Sequence, residues 1–132
     1  MIELVFVIVV IGILASIAMP KLWVTRDDAI VSKGRAEVST IRSGIATERQ
    51  KNMLSGDASY PASLDKDGTT FGTIMEYGVA TSTKSGHWSH DINTTTYTYH
   101  LGDGTDVVFT YDKDTGRFDC DHTVQGCKDL TE

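Results

Sequence analysis

Residues 1–20 read MIELVFVIVVIGILASIAMP, and 17 of them, Leu4 to Pro20, pass without a charge. At 1.5 Å per helical residue such a run covers about 25 Å, slightly less than a bilayer core of roughly 30 Å. Length alone leaves a short membrane anchor, a signal-peptide core or a buried helix. A removable secretory signal is not expected, because no Lys or Arg precedes the run, Glu3 stands at its start, and no A-x-A site appears where Lys21 follows Pro20. Val, Ile and Phe fall on every helical face, which excludes a one-sided surface helix. The segment belongs in lipid or in the centre of an assembly.

Outward from this run the composition changes. The 132 residues carry 12 basic and 18 acidic side chains, a net charge of −6. The charge is unevenly placed: residues 1–54 hold seven basic groups against five acidic ones, and residues 55–132 hold five against thirteen, so a stalk of +2 precedes a head of −8. An acidic head repels phosphate, so strong direct nucleic-acid binding is not expected, and a DNA-uptake adhesin acting through this surface is disfavoured.

From Lys21 to Leu54 the pattern becomes two-sided. Trp23, Ile30, Gly34, Val38, Ile41 and Ile45 form one stripe, with charged residues over most of the remainder, which reads as a core face and a solvated face. Asp27 and Asp28 early, and Arg49 and Lys51 late, suit the helix dipole, and Ser55-Gly56-Asp57 supplies a stop. Gly34 and Gly44 mark either close packing or local bends. The result is one helix of roughly 50 residues, half in membrane and half on a head.

In the head, residues 59–64 and 85–89 read as loops and turns, and Phe71, Ile74, Met75 and Tyr77 as a short helix or turn docked on the core. The period then becomes two. Tyr97, Tyr99 and Leu101 within 93–101, and Val107, Phe109 and Tyr111 within 106–111, each line one side. Gly102-Asp103-Gly104 joins these strands, and Asp112 to Gly116 turns into a third through Phe118. The expected fold is α+β, a long N-terminal helix packed on a three-stranded antiparallel meander.

Ile2-Glu3-Leu4, the β-branched run, Gly12-Ile13-Leu14-Ala15, Ala18 and Pro20 together resemble the N-terminal segment of type IV pilins and the related pseudopilins. The resemblance covers about the first 24 residues and implies a pilin-like fold. It also implies a leader cut by a prepilin peptidase, methylation of the new N-terminus, insertion in the inner membrane, and then polymerisation into an extracellular filament or a periplasmic pseudopilus. Mature chains of that family usually begin Phe-Thr before a hydrophobic-Ile-Glu triplet, so the natural chain is expected to carry two further residues or to be cut differently. Domain organisation follows: 1–54 the helix, with 1–22 the membrane or filament-core segment and 23–54 the amphipathic half, and 55–132 the head with a C-terminal disulfide loop.

Glu3 admits two readings on physical grounds. One places an ionised carboxylate at the membrane–water boundary, favoured by the helix N-terminus. The other requires a cation inside a packed bundle, where an unpaired carboxylate is costly and a paired one sets register. The resemblance implies the second, with the partner being the α-amino group of a neighbouring subunit. Gly12 weakens the helix and Pro20 removes a backbone donor, which fits either a merely curved membrane helix or one that yields locally; the resemblance implies the second, with unwinding between them expected when subunits pack. The assembly residues are thus Glu3, Gly12 and Pro20.

Cys120 and Cys127 are the only cysteines. Their spacing is not that of a zinc site, although His122 lies between them. A translocated domain meets oxidising chemistry, so a disulfide pinning the C-terminal segment is expected. Asp112-x-Asp114-x-Gly116 begins like a calcium loop without the rest of an EF-hand, leaving Asp112 and Asp114 as weak Ca2+ candidates. His87 and His90 flank Trp88 in a Ser/Gly-rich stretch, where a core-capping tryptophan is the simpler reading. No nucleophile elbow, phosphate-cradling glycine loop or paired carboxylates in an apolar context occur, and enzyme activity is not expected. The classes that stand are a type IV pilus-like filament subunit, a type II secretion or competence pseudopilin, and, in another class, a monomeric membrane-anchored periplasmic binding module.

Overall fold

The computed structural model describes residues Met1–Glu132. Helix α1, Ile2–Leu54, runs without interruption for 53 residues, about 80 Å, through both Gly12 and Pro20. Glu3 occupies its first turn, and Asp27 and Asp28 lie mid-helix instead of near a terminus, so they gain nothing from its dipole. The helix stops where expected: Ser55 caps it, and the Gly56 and Asp57 N–H groups turn back to the carbonyls of Met53 and Asn52.

Four strands, β1 (Trp88–His90), β2 (Thr96–His100), β3 (Asp106–Asp112) and β4 (Arg117–Cys120), form one antiparallel sheet in sequential order. The meander therefore has four strands where the sequence pattern gave three. The additional strand lies in the stretch read as loop; three residues are too few to display alternation, yet Trp88, Ser89 and His90 register with Tyr99, Thr98 and Tyr97. A short helix α2, Gln125–Thr131, replaces the expected terminal loop and returns the chain to α1.

Alternation places Tyr97, Tyr99, Val107, Phe109, Tyr111 and Phe118 inward, against Val38, Ile41 and Ile45 of α1 and Cys127 and Leu130 of α2. Trp88 is at the centre of this core and not a cap on it. Its ring meets Phe71, Tyr99, Phe109 and Phe118 at centroid distances of 5.5, 5.0, 5.5 and 6.0 Å, and its indole N–H donates to Glu37 Oε2 at 2.9 Å. Phe71 is buried, and Ile74 and Met75 pack against the core, but Tyr77 points into solvent. The stripe is also shorter than the pattern implied: Trp23 is 68% exposed, because the head does not reach that far down the helix.

Both stalk glycines within the head allow close packing. A Cβ on Gly44 would stand 3.0 Å from the Ile74 Cβ. One on Gly34 would stand 2.6 Å from both Leu130 Cδ2 and Tyr99 Cε1, so sheet and α2 converge on a bare stretch of helix backbone. Gly12 has nothing within 4 Å.

Gly34→Ala is expected to destabilise the head by about 1–3 kcal/mol through overpacking. Gly12→Ala is expected to leave the head unchanged while favouring the helix by about 1 kcal/mol. Denaturant unfolding in detergent micelles, followed by Trp88 fluorescence, checks both; equal effects at the two sites would refute the assignment of Gly34 to a packing contact.

Candidate assembly site and head anchorage

The N-terminal half of α1 contacts nothing else in the chain. Ile2, Leu4 to Ile11, Ile13, Leu14, Ile17 and Met19 are all exposed, and this is the chain's one helix long and apolar enough to cross a membrane. Its most favourable state is elsewhere: at about 1.5–3 kcal/mol per large apolar side chain, covering the run is worth tens of kcal/mol. Glu3 Oε2 lies 3.4 Å from the chain's own ammonium group, with both fully accessible. The residues named for assembly do not converge; Glu3, Gly12 and Pro20 are strung along one helix.

Pro20 lacks the N–H that would bond the Ser16 carbonyl; the Ser16 hydroxyl donates one turn back, to the Ile13 carbonyl at 2.7 Å, and does not replace that bond. The helix nonetheless stays α-helical from Gly12 to Pro20 in the single chain. The expected unwinding therefore belongs to the packed state or does not occur.

The upper half of α1 is anchored by a feature that the sequence did not disclose. Its cations are not a solvated face; they reach across and donate to backbone carbonyls of the head. Lys33 Nζ bonds the Gly86 carbonyl at 2.6 Å, Arg35 the Asp129 carbonyl at 2.6 and 3.0 Å, Arg42 the Phe118 carbonyl at 3.0 Å, and Arg49 the Ala58 carbonyl at 3.3 Å. The reverse also occurs, with the Tyr99 hydroxyl donating to the Ile30 carbonyl at 2.9 Å. The four head carbonyls lie at loop ends, at the edge of β4 and in the last turn of α2, positions without strand or helix partners of their own.

Cys120 and Cys127 form the disulfide. It ties the end of β4 to α2, and Asp119 beside it is a hub. Asp119 accepts from Arg42 at 3.1 Å, Arg117 at 2.7 and 3.1 Å, the Cys120 N–H at 3.0 Å and His122 Nε2 at 3.0 Å. Burial pushes its carboxyl up, but the Arg117 guanidinium, the Cys120 N–H and His122 together outweigh burial and hold it below the ordinary carboxylate value. One ligand atom each of Asp119, His122 and Cys127 lies within 4.8 Å of the others, but the sulfur is committed to the disulfide and the Asp119 oxygens to guanidinium and amide donors. The weak calcium candidates serve a turn: Asp112 accepts from the Asp114 N–H at 2.9 Å and the Thr115 hydroxyl at 2.8 Å, which lowers its carboxyl. Gly116 closes this turn at a φ of +69°, where a side chain would also overlap the Tyr60 ring.

The sheet carries two histidine networks that sequence reasoning missed. On the inner side His90, fully buried, stacks on Tyr97 at 4.0 Å and donates from Nδ1 to the Thr96 carbonyl at 2.7 Å. Its Nε2 faces Asp65 Oδ2 at 2.6 Å without the alignment of a hydrogen bond. The Tyr97 hydroxyl donates to the same oxygen at 3.0 Å, and burial followed by the Asp65 charge pushes that hydroxyl strongly up. On the outer side His100 bridges three strands, with Nε2 2.8 Å from Ser89 Oγ and Nδ1 2.5 Å from Asp106 Oδ1. The atoms follow the order of a Ser-His-Asp relay. They lie on the outward face of the sheet, and of the three only Asp106 lines a surface depression, one that neither Ser89 nor His100 borders. The relay holds β1, β2 and β3 together across that face. No sequence spacing announces such a group, because its members are brought together only by strand register.

The architecture, a long apolar N-terminal helix followed by an antiparallel sheet, is pilin-like. No family model, curated protein or solved structure matches the chain.

Reducing the disulfide is expected to cost about 2–3 kcal/mol of head stability, read as a lower Tm; an unchanged Tm would show that the bridge pins nothing. The Asp119 carboxylate is depressed in the folded state, so its contribution is complete above the ordinary value of 3.8 and is lost as pH falls through the folded value. Asp119→Asn should therefore lower stability near neutral pH by about 1.5–3 kcal/mol, and the gap to wild type should close as the solution is acidified below that value. A gap independent of pH would exclude the charge as its source.

Proposed function

We propose that this chain is a structural subunit of a type IV pilus-like filament, held in the inner membrane by α1 before it polymerises through the same helix. The observation that carries the reading is the bare, uncharged surface of Leu4 to Pro20 on a helix whose other half is fixed to a folded head. A rigid stalk of that kind is stable in lipid, or among parallel stalks, and in no aqueous monomeric state. Partners are therefore further copies of the chain, the bilayer, and, by resemblance, a prepilin peptidase and an assembly machine. The −8 heads would face outward, with the mildly basic half-helices against acidic neighbours.

Within the assembly Glu3 pairs with the ammonium group of the next subunit. Buried away from water, that pair fixes axial register more than it adds stability. The segment between Gly12 and Pro20 is the part of the helix able to yield as stalks pack. The disulfide supports an exported head, because such bonds persist in oxidising compartments. A pseudopilin of a type II secretion or competence apparatus is the second reading, favoured by the compact head, whereas the disulfide leans towards the pilus subunit. A monomeric anchored binding module requires no role for Glu3.

Glu3→Ala and Glu3→Val are expected to insert in membranes as wild type does and to assemble poorly. Flotation with membranes measures the first, and electron microscopy of material sheared from cells measures the second. Wild-type filament yield from either variant would remove Glu3 from assembly. Filaments built mainly of this chain would identify a major pilus subunit, and their absence would favour a pseudopilin.

A further inference from the structure

The turns of α1 between the apolar run and the head have no partner within the chain. Of the basic residues in α1, Lys33, Arg35, Arg42 and Arg49 bond carbonyls of the head and Lys51 pairs with Glu48. Lys21 and Arg26 make no ion pair or side-chain hydrogen bond with anything. Trp23, between them, is 68% exposed, whereas the other tryptophan, Trp88, is 0% exposed. Contact with the head begins above this level, with Asp27 at Gly102 and Ile30 against the core.

We infer that Lys21, Trp23 and Arg26 form an interfacial anchor that seats in the headgroup layer of a bilayer containing anionic lipid. The inference rests on the reading of residues 4–20 as a membrane segment and adds where that segment stops and what stops it.

Three observations lead to lipid instead of a protein partner. The first is height. From Leu4 to Trp23 is 20 residues, about 30 Å of helix, which equals the hydrocarbon thickness, so the indole reaches the level where aromatic belts sit. The second is angular spread. At about 100° per residue, Trp23 and Arg26 lie about 60° apart on one face, and Lys21 stands about 140–160° away from both on the other side of the axis. A docked protein would cover one face; a headgroup layer surrounds the helix. The third is the vertical order of charge. The two cations flank the indole, and their long stems can lie along the helix with the charge at phosphate level. Asp27 and Asp28 come about 6–8 Å above Trp23, at the outer limit of the headgroups, where an anionic surface repels them least. Reversing that order would set carboxylates against phosphate.

Seated this way, the stalk cannot sink further without dragging Asp27 and Asp28 into the headgroups, nor rise without exposing the indole. The head is thereby held just clear of the surface.

The full chain reconstituted in vesicles of phosphatidylcholine with phosphatidylglycerol tests the inference, using Trp23 as its own reporter and Trp23→Phe to subtract the Trp88 signal. The expected result is co-flotation with the vesicles, a blue-shifted Trp23 emission, and stronger quenching by lipids brominated near the glycerol end of the acyl chain than by lipids brominated near its terminus. Lys21→Gln with Arg26→Gln should make Trp23 at least about threefold more accessible to aqueous iodide in anionic vesicles. Co-flotation with a water-exposed Trp23, or quenching greatest at the chain terminus, would overturn the anchor while leaving the membrane segment standing. Iodide accessibility unchanged by the double substitution would overturn the part given to the cations. Failure to co-float would overturn the membrane segment and the anchor together.

Discussion

The close approach at Gly34 is the contact on which the head depends. The Tyr99 ring and the Leu130 side chain meet helix backbone where any other residue would place a Cβ. That distance sets how near the sheet and α2 lie to α1, and so whether Val38, Ile41 and Ile45 touch the aromatic interior at all. It also sets the reach of the anchoring cations, since a lysine or arginine spans only a few ångströms beyond the helix surface. With the sheet pushed away, Arg42 would lose the β4 edge and Asp119 would lose one of the charges that stabilise it.

Elements with a strong period were legible from the residues. The uncharged run, the amphipathic half, the helix stop at Ser55-Gly56 and the alternation in β2 and β3 all follow from where water must be excluded, and the structure places them so. The disulfide followed from compartment chemistry. Short elements did not show themselves: β1 has three residues and α2 seven, too few for a period to emerge, and both owe their shape to what they pack against. Trp23 shared a helical face with Ile30 and Gly34, but a face says nothing about how far along it the partner extends.

Side-chain partnerships were the least legible. A charged residue on a helix is indistinguishable in sequence whether it meets water or a carbonyl, so Lys33, Arg35, Arg42 and Arg49 read as solvated until the head was placed beside them. The groups around His90 and His100 depend on strand register and on loop 65–71, neither of which leaves a local signature. The candidate assembly segment shows the opposite balance. Its residue identities were clear from the first line of sequence, and a single copy reveals little of its chemistry, because no other element of the chain packs against it.

The row of cations along α1 has a mechanical consequence. In the proposed filament, a subunit pulled through its stalk while its head is held would be loaded parallel to the helix axis, so the junction between helix and head would be sheared instead of peeled. Lys33, Arg35, Arg42 and Arg49 are distributed over some 16 residues, roughly 24 Å of that junction. Bonds arrayed along the direction of pull share the force, and none has to fail first. The disulfide, joining β4 to α2 at the midpoint of the array, keeps two of the gripping points, the carbonyls of Phe118 and Asp129, from separating under tension.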